Sequence, residues 1–253
     1  DRMKGVVLAG GTGSRLYPLT RVTNKHLLPV GRYPMIFHPL MRMRRAGVTE
    51  IVVVTSPEHM GDVVNLLGSG SRMGLDLTYR VQDEPGGIAQ ALGLCESFVG
   101  SDPFMVVLGD NVLGNDIPQE VDAFRAQIAR NGSGARVLLK EVPDPERYGV
   151  PELVDGVIQR VVEKPSTPAS NYSVIGIYFY DASVFEYIKN LHPSERGELE
   201  ISDVSNMYAD AGQLTHGILD GWWGDAGTFD GLEEASRLAR NLLYEELGGE
   251  YAT

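Results

Sequence analysis

The sequence predicts an α/β chain with a doubly wound, mostly parallel (Rossmann-like) sheet, and three observations lead there. Apolar, β-branched runs alternate with amphipathic stretches of helical length through residue 142. Two of the runs, Ile51-Val52-Val53-Val54-Thr55 and Phe104-Met105-Val106-Val107-Leu108, are continuous, as in strands covered on both faces of a parallel sheet. The first run, Val6-Val7-Leu8-Ala9, opens into Gly10-Gly11-Thr12-Gly13, a strand-to-loop junction of the kind found at the carboxyl edge of an open sheet.

After that loop, Pro34-Met35 leads into an amphipathic run from Leu40 to Ala46, stopped at Gly47. The Ile51–Thr55 strand follows, then a helix around Met60 to Leu67 and a strand near Leu77 to Val81. Gln82 and the turn Glu84-Pro85-Gly86-Gly87 precede a helix from Ile88 to about Phe98. The Phe104–Leu108 strand ends at Gly109-Asp110-Asn111; a helix from Pro118 to Ala129 and a strand from Ala135 to Val142 follow. Beyond residue 142 the strands are shorter, at Val157 to Glu163 and Val174 to Tyr180, separated by the loop Lys164-Pro165-Ser166-Thr167-Pro168. Helices near Val184 to Leu191 and Ile201 to Ala211 lead to a strand at Leu214 to Leu219. Gly224-Asp225-Ala226-Gly227-Thr228 reads as a polar loop before a last helix whose apolar stripe is Leu232, Ala235, Leu238, Ala239 and Leu242. There is no internal repeat and no low-complexity linker, so residues 3–253 read as one domain, with parts at about 3–142 and 143–253.

Composition narrows the function classes. Of 253 residues, 43% are hydrophobic and 22% charged, ordinary for a globular protein. A net charge of −12 argues against nucleic acid as the main partner, and the local cluster Arg42, Arg44, Arg45 reads as a solvated helix face. The apolar runs are too short for a membrane span, and no signal-peptide pattern opens the chain. The single cysteine, Cys95, excludes an internal disulfide and suits a cytoplasmic location; the pattern Ile88, Ala91, Leu92, Cys95 makes it a core thiol. The five histidines lack metal-ligand spacing, and no G-x-S-x-G nucleophile elbow occurs.

What remains is the glycine loop and the charges around it. Gly10, Gly11 and Gly13 let backbone N–H groups approach an anion closely, and Arg15 and Lys25 add a forked donor and a mobile point charge. A P-loop is absent, and the dinucleotide fingerprint fails at Leu16. By itself such a loop reads equally as a tight strand-to-helix turn or as a polyphosphate cradle. Asp110, at a strand end, reads as a turn residue or as a hard oxygen ligand, and Asp225 stands likewise in a glycine-flanked loop. Gln82 is either a solvated strand end or a reader of a base edge, since a carboxamide pairs with the O4 and N3–H of thymine or uracil. Glu163-Lys164-Pro165, taken alone, is an exposed turn.

The full string from Gly10 to Val30 resembles the signature of the sugar-nucleotide pyrophosphorylases, G-G-x-G-x-R-L-x-P-x-T…K-x-L-L-P-V. The resemblance extends to Leu108-Gly109-Asp110, Pro85-Gly86-Gly87-Ile88-Ala89-Gln90-Ala91, Tyr148-Gly149-Val150, Glu163-Lys164-Pro165, Gly197–Asp203 and Trp223-Gly224-Asp225-Ala226-Gly227-Thr228. It implies a nucleotidyltransferase fold with a sugar-binding subregion in the second half. It implies nucleotide contacts at Leu8, Gly10, Gly11, Thr12, Gly13, Gln82, Gly87 and Asp110. Sugar-phosphate contacts fall on Gly149, Glu163, Lys164, Val174, Tyr178 and Trp223, and Mg²⁺ on Asp110 and Asp225. His26 departs from the Gln often found after the lysine. The chain also stops short of the longer family members, so their C-terminal regulatory and subunit contacts are not carried over.

The reaction implied is attack by a sugar 1-phosphate oxygen on the α-phosphorus of a nucleoside triphosphate, releasing pyrophosphate. A phosphomonoester with its second pKa near ~6 is already largely a dianion at neutral pH, so positioning and cationic neutralisation matter more than a general base. Arg15 would grip the departing phosphates, Lys25 would bridge phosphates near the reacting centre, and Lys164 would hold the sugar phosphate. The branch of the family that uses dTTP and glucose 1-phosphate fits best; a UTP-dependent uridylyltransferase and a silent sugar-nucleotide sensor are the alternatives. A homo-oligomer is expected by family likeness.

Overall fold

Val6, Val7 and Ala9 have no exposed surface and Leu8 is nearly as buried, so the first strand, Lys4–Ala9, is covered on both faces as its continuous apolar run predicts. The structure, a computed structural model, describes residues 2–248. Its fold is α/β, with helices on a large, mainly parallel central sheet. The described residues divide into two compact units: one holds Gly5–Pro85, Val107–Pro118 and residues 221–248, the other residues 2–4, Gly86–Val106 and Gln119–Asp220.

In the first unit, Gly5 to Ala9 run parallel to Ile51 to Thr55, and the Glu50–Thr55 strand runs parallel to Asp76–Val81. Parallel neighbours need crossovers, which the helices Phe37–Arg45 and Met60–Leu67 supply. The first of these buries Phe37, Leu40, Met41 and Met43, and it also buries Arg42. The expected solvated cluster is therefore corrected at that position: Arg42 donates to the Leu113 carbonyl at 2.7 Å and pairs with Asp116, so the guanidinium is desolvated but matched. The expected Gly224–Thr228 loop is also corrected, because Trp223–Asp225 is a strand antiparallel to Asn111–Leu113, with Asp225 opposite Asn111. Val30, Met35, Val112, Ala226, Ala235 and Ala239 form the core beneath that ladder. The last long helix, Phe229–Leu238, stops before Leu242, which still packs against this core from outside the helix.

In the second unit, Ala135–Glu141 pairs antiparallel with Tyr172–Tyr180 and parallel with Leu214–Ile218. A strand not expected from the sequence, Gly149–Val154, forms a hairpin with Val157–Glu163 through Asp155-Gly156, both at positive φ (50° and 76°) as a type I′ turn requires. The single helix expected from Ile88 to Phe98 is two, Ile88–Gly93 and Glu96–Val99, because the Cys95 N–H bonds three residues back to Leu92 and breaks the α pattern. Cys95 is fully buried, the core thiol its pattern predicts.

Candidate active site

The first unit gathers the phosphate-type residues. Gly11 and Gly13 take φ of 93° and 63°, and the Thr20 hydroxyl donates to the Gly13 carbonyl at 2.6 Å, fixing the turn from behind. Gly11, Thr12 and Arg15 are exposed beyond the buried strand end at Leu8 and Ala9. Gln82 continues the Asp76–Val81 strand, its N–H bonded to Thr55, and its carboxamide lies over Gly10, where a Cβ would come within 2.9 Å of Oε1. Gly10 and the Gln82 carboxamide are thus in direct contact at the strand end.

Lys25 stands in the short helical turn Lys25–Leu27, and its Nζ reaches Asp110 Oδ2 at 2.7 Å. Asp110 follows a strand that the Gly109 N–H ties to the Leu8 carbonyl at 2.8 Å, which brings it beside the glycine loop. The Asn111 amide donates to Asp110 Oδ1 at 3.1 Å, and the Trp223 indole donates to Asn111 at 2.7 Å. Asp225 arrives by strand pairing and accepts from the Gly227 N–H at 2.9 Å. A Cβ on Gly227 would lie 2.8 Å from Asp110 Oδ2, 2.9 Å from an Arg15 guanidinium nitrogen and 3.0 Å from Asp225 Oδ1. Both carboxylates and the arginine thus converge on one small space that only glycine leaves open.

Electrostatics follow from this packing. Burial alone would raise the Asp110 carboxyl, but the Lys25 ammonium overrides it and holds the group well below the usual carboxylate range. Asp225 is pushed up by burial and by the charge of Asp110 beyond what Gly227, Arg15 and Lys25 offset. Burial and the neighbouring Lys25 lower His26 to about 3, so its ring is neutral. Two close carboxylates, one already hard to ionise, make a donor set that a divalent cation relieves. Among the described residues no group of three or more His, Cys, Asp or Glu could hold a metal. A cation here would take these two carboxylates and complete its shell with water and phosphate oxygens, as Mg²⁺ does.

The second unit holds the remaining candidates. Gly149 pairs with Glu163 across the hairpin and with Val174 of the longer strand. A Cβ on Gly149 would lie 3.3 Å from Glu163 Oε2 and 3.2 Å from the hydroxyl of Ser202, which itself donates to Glu163 at 2.8 Å. Lys164 is exposed at φ 44°, a left-handed conformation costly for a side chain, and its N–H is bonded to the Tyr148 carbonyl at 2.9 Å. Val174 and Tyr178 flank a bulge in their strand, a device that re-aims side chains near functional sites. Val174 is half-buried, whereas Tyr178 is buried and stacked on Tyr180 at 6.0 Å. Gly87, at φ 97°, packs against Leu199, whose carbonyl would lie 2.8 Å from a Cβ there.

Sequence reading missed Ser202, Asn24 and Gly227 as contributors. Ser202 and Gly227 stand within the stretches that carry the resemblance, but a hydroxyl and a glycine have no chemistry of their own to mark them. Asn24, a helix-capping type before Lys25, could have been read from its position.

A family model described as nucleotidyl transferase matches residues 4–241. A glucose-1-phosphate thymidylyltransferase of Neisseria meningitidis serogroup A / serotype 4A is 43% identical over 244 residues, 95% of this chain and 83% of that protein. A crystal structure of a Bacillus anthracis protein, provisionally assigned as a glucose-1-phosphate thymidylyltransferase and in complex with sucrose, superposes with TM-score 0.90 at 56% identity, covering 94% of this chain and 96% of that one. A UDP-glucose pyrophosphorylase complexed with UDP-glucose is more distant, with TM-score 0.82 and 25% identity over 97% of this chain and all of that one.

Proposed function

This chain belongs to the nucleotidyl transferase family, and from that premise we propose that it transfers a thymidylyl group from dTTP to glucose 1-phosphate, giving dTDP-glucose and pyrophosphate. The substrate pair is supported by relatives named for that activity at 43% identity, well above the 25% shared with the UDP-glucose enzyme. The observation that carries the reading is the convergence of Arg15, Asp110 and Asp225 on the space beside Gly227, with Lys25 on Asp110.

The sugar phosphate is the nucleophile and needs no base, being largely a dianion above its second pKa of about 6. Its oxygen bonds to the α-phosphorus of dTTP as the bond to the β-phosphate oxygen breaks, and pyrophosphate leaves with the electron pair. The glycine turn from Gly10 to Gly13 offers backbone N–H groups to the triphosphate. Arg15 binds the departing phosphates as a fork, and Lys25 moves its ammonium from Asp110 to the phosphates when they arrive. Gln82 pairs with the thymine edge, with Leu8 and Gly87 as further nucleotide contacts. Glu163, oriented by Ser202, accepts from sugar hydroxyls, and Lys164 neutralises the 1-phosphate. Asp110 and Asp225 would hold Mg²⁺, which when bound supplies positive charge against the phosphate oxygens.

Pyrophosphate release from dTTP with glucose 1-phosphate and Mg²⁺, measured beside UTP and several sugar phosphates, tests this directly. Faster turnover with dTTP is expected; preference for UTP would make the chain a uridylyltransferase, and silence with every pair would make it a sensor.

A further inference from the structure

We propose that His26 is a positioning residue: with Asn24 it locks the turn carrying Lys25 onto two strand ends and the Gly109-Asp110 turn, and thereby sets where the Lys25 ammonium can reach. The proposal rests on the reading of Lys25 as a phosphate-binding group.

Asn24 is 3% exposed and uses both ends of its carboxamide. Its Nδ2 donates to the Ala9 carbonyl and to the Thr55 hydroxyl, each at 3.2 Å, and Ala9 and Thr55 are register partners at the ends of adjacent parallel strands. Its Oδ1 accepts from the His26 backbone N–H at 2.8 Å and lies 2.7 Å from ring Nδ1, which donates to it. The His26 carbonyl in turn accepts from the Ile36 N–H at 2.9 Å. Backbone and ring of one residue are therefore bolted to a carboxamide that is itself bolted to the sheet.

The far edge of the His26 ring fixes the second partner. A Cβ on Gly109 would lie 2.5 Å from His26 Cδ2, so ring and turn are in direct contact, and the next residue is Asp110. Lys25 precedes His26, and its Nζ meets Asp110 Oδ2 at 2.7 Å. His26 thus touches the backbone bases of both members of that pair. A lysine stem is long and flexible, so an anchored base narrows where its charge can go. An apolar residue of similar size would fill the space but leave Asn24 Oδ1 one donor short.

The test is a double-mutant cycle read by calorimetric binding of dTTP with Mg²⁺. Lys25→Met should weaken binding on the order of tenfold and His26→Leu about fivefold, while His26→Leu added to Lys25→Met should cost nothing further, since residues acting through one another are not additive. His26→Gln, which keeps a donor for Asn24, should bind within about twofold of the unaltered chain. Equal losses from His26→Leu with and without Lys25, or equal losses from His26→Gln and His26→Leu, would make His26 plain packing and overturn the proposal. Should His26→Leu fail to give a cooperative melt, Asn24→Asp serves instead. It keeps the acceptor for His26 and loses the donations to Ala9 and Thr55, and its cost must likewise vanish in the Lys25→Met background. If the unaltered chain binds no dTTP, the phosphate-binding reading of Lys25 fails first and takes the proposal with it.

Discussion

Lys25 neutralises a buried carboxylate, Asp110, and in the proposed mechanism the same ammonium turns to the phosphates when nucleotide binds. Replacing it by Ala leaves Asp110 buried without its cation and removes one preorganised charge, so kcat in the pyrophosphate assay should fall on the order of a hundredfold. Asp225→Ala should lose a similar factor, on the order of a hundredfold, for the converse reason: one of the two carboxylates proposed to hold Mg²⁺ disappears. Near-normal turnover in either variant would remove that residue from the mechanism. Gly227 is the sharper probe. A methyl there would meet the far ends of Asp110, Arg15 and Asp225, all flexible tips, so the fold should accommodate it. Gly227→Ala is accordingly expected to melt near the unaltered temperature yet lose at least about tenfold in turnover, because the methyl takes the space the charges surround. Equal activity would show that the space is not used.

The elements that carry these residues differ in how far they announce themselves. The Glu50–Thr55 strand is legible because its β-branched run has no other stable home than a covered sheet. The Trp223–Asp225 strand is not: three residues with a central glycine show no periodicity, and the strand exists only because Asn111–Leu113 offers a partner. Gly149–Val154 escaped for a similar reason, although its Asp155-Gly156 turn was a fair hairpin signal. The helix Phe229–Leu238 begins four residues after Asp225 with Thr228 as its cap, the side chain accepting from the Gly231 N–H at 3.2 Å. Thr228→Ala should cost about 1 kcal/mol in urea unfolding, and an unchanged midpoint would show that this cap is idle.

For the whole molecule, pH acts through histidines kept neutral by burial. Burial drives His38 down to about 4 from 6.5, partly opposed by its bond to the Val30 carbonyl at 2.9 Å. The unfolded chain binds this proton below pH 6.5 and the native chain only below about 4, so stability falls as pH drops across that window. The full effect of this one group is about 3 kcal/mol, and His38→Gln should flatten the decline of unfolding free energy between pH 7 and pH 4.5. An identical slope in the variant would mean that His38 titrates alike in both states.

The longer strands and helices, the glycine turn, the cations Arg15 and Lys25 and the two aspartates could be read from the chain, because periodicity and residue chemistry are local properties. That Asp225 would arrive by strand pairing and that Gly227 would stand between it, Asp110 and Arg15, that Arg42 would be buried, and that Asn24 and His26 would hold the turn of Lys25 were decided only in three dimensions. Each depends on contacts between residues far apart in sequence, and a carboxylate, a glycine or an amide becomes part of a site only through the neighbours that the folded backbone brings to it.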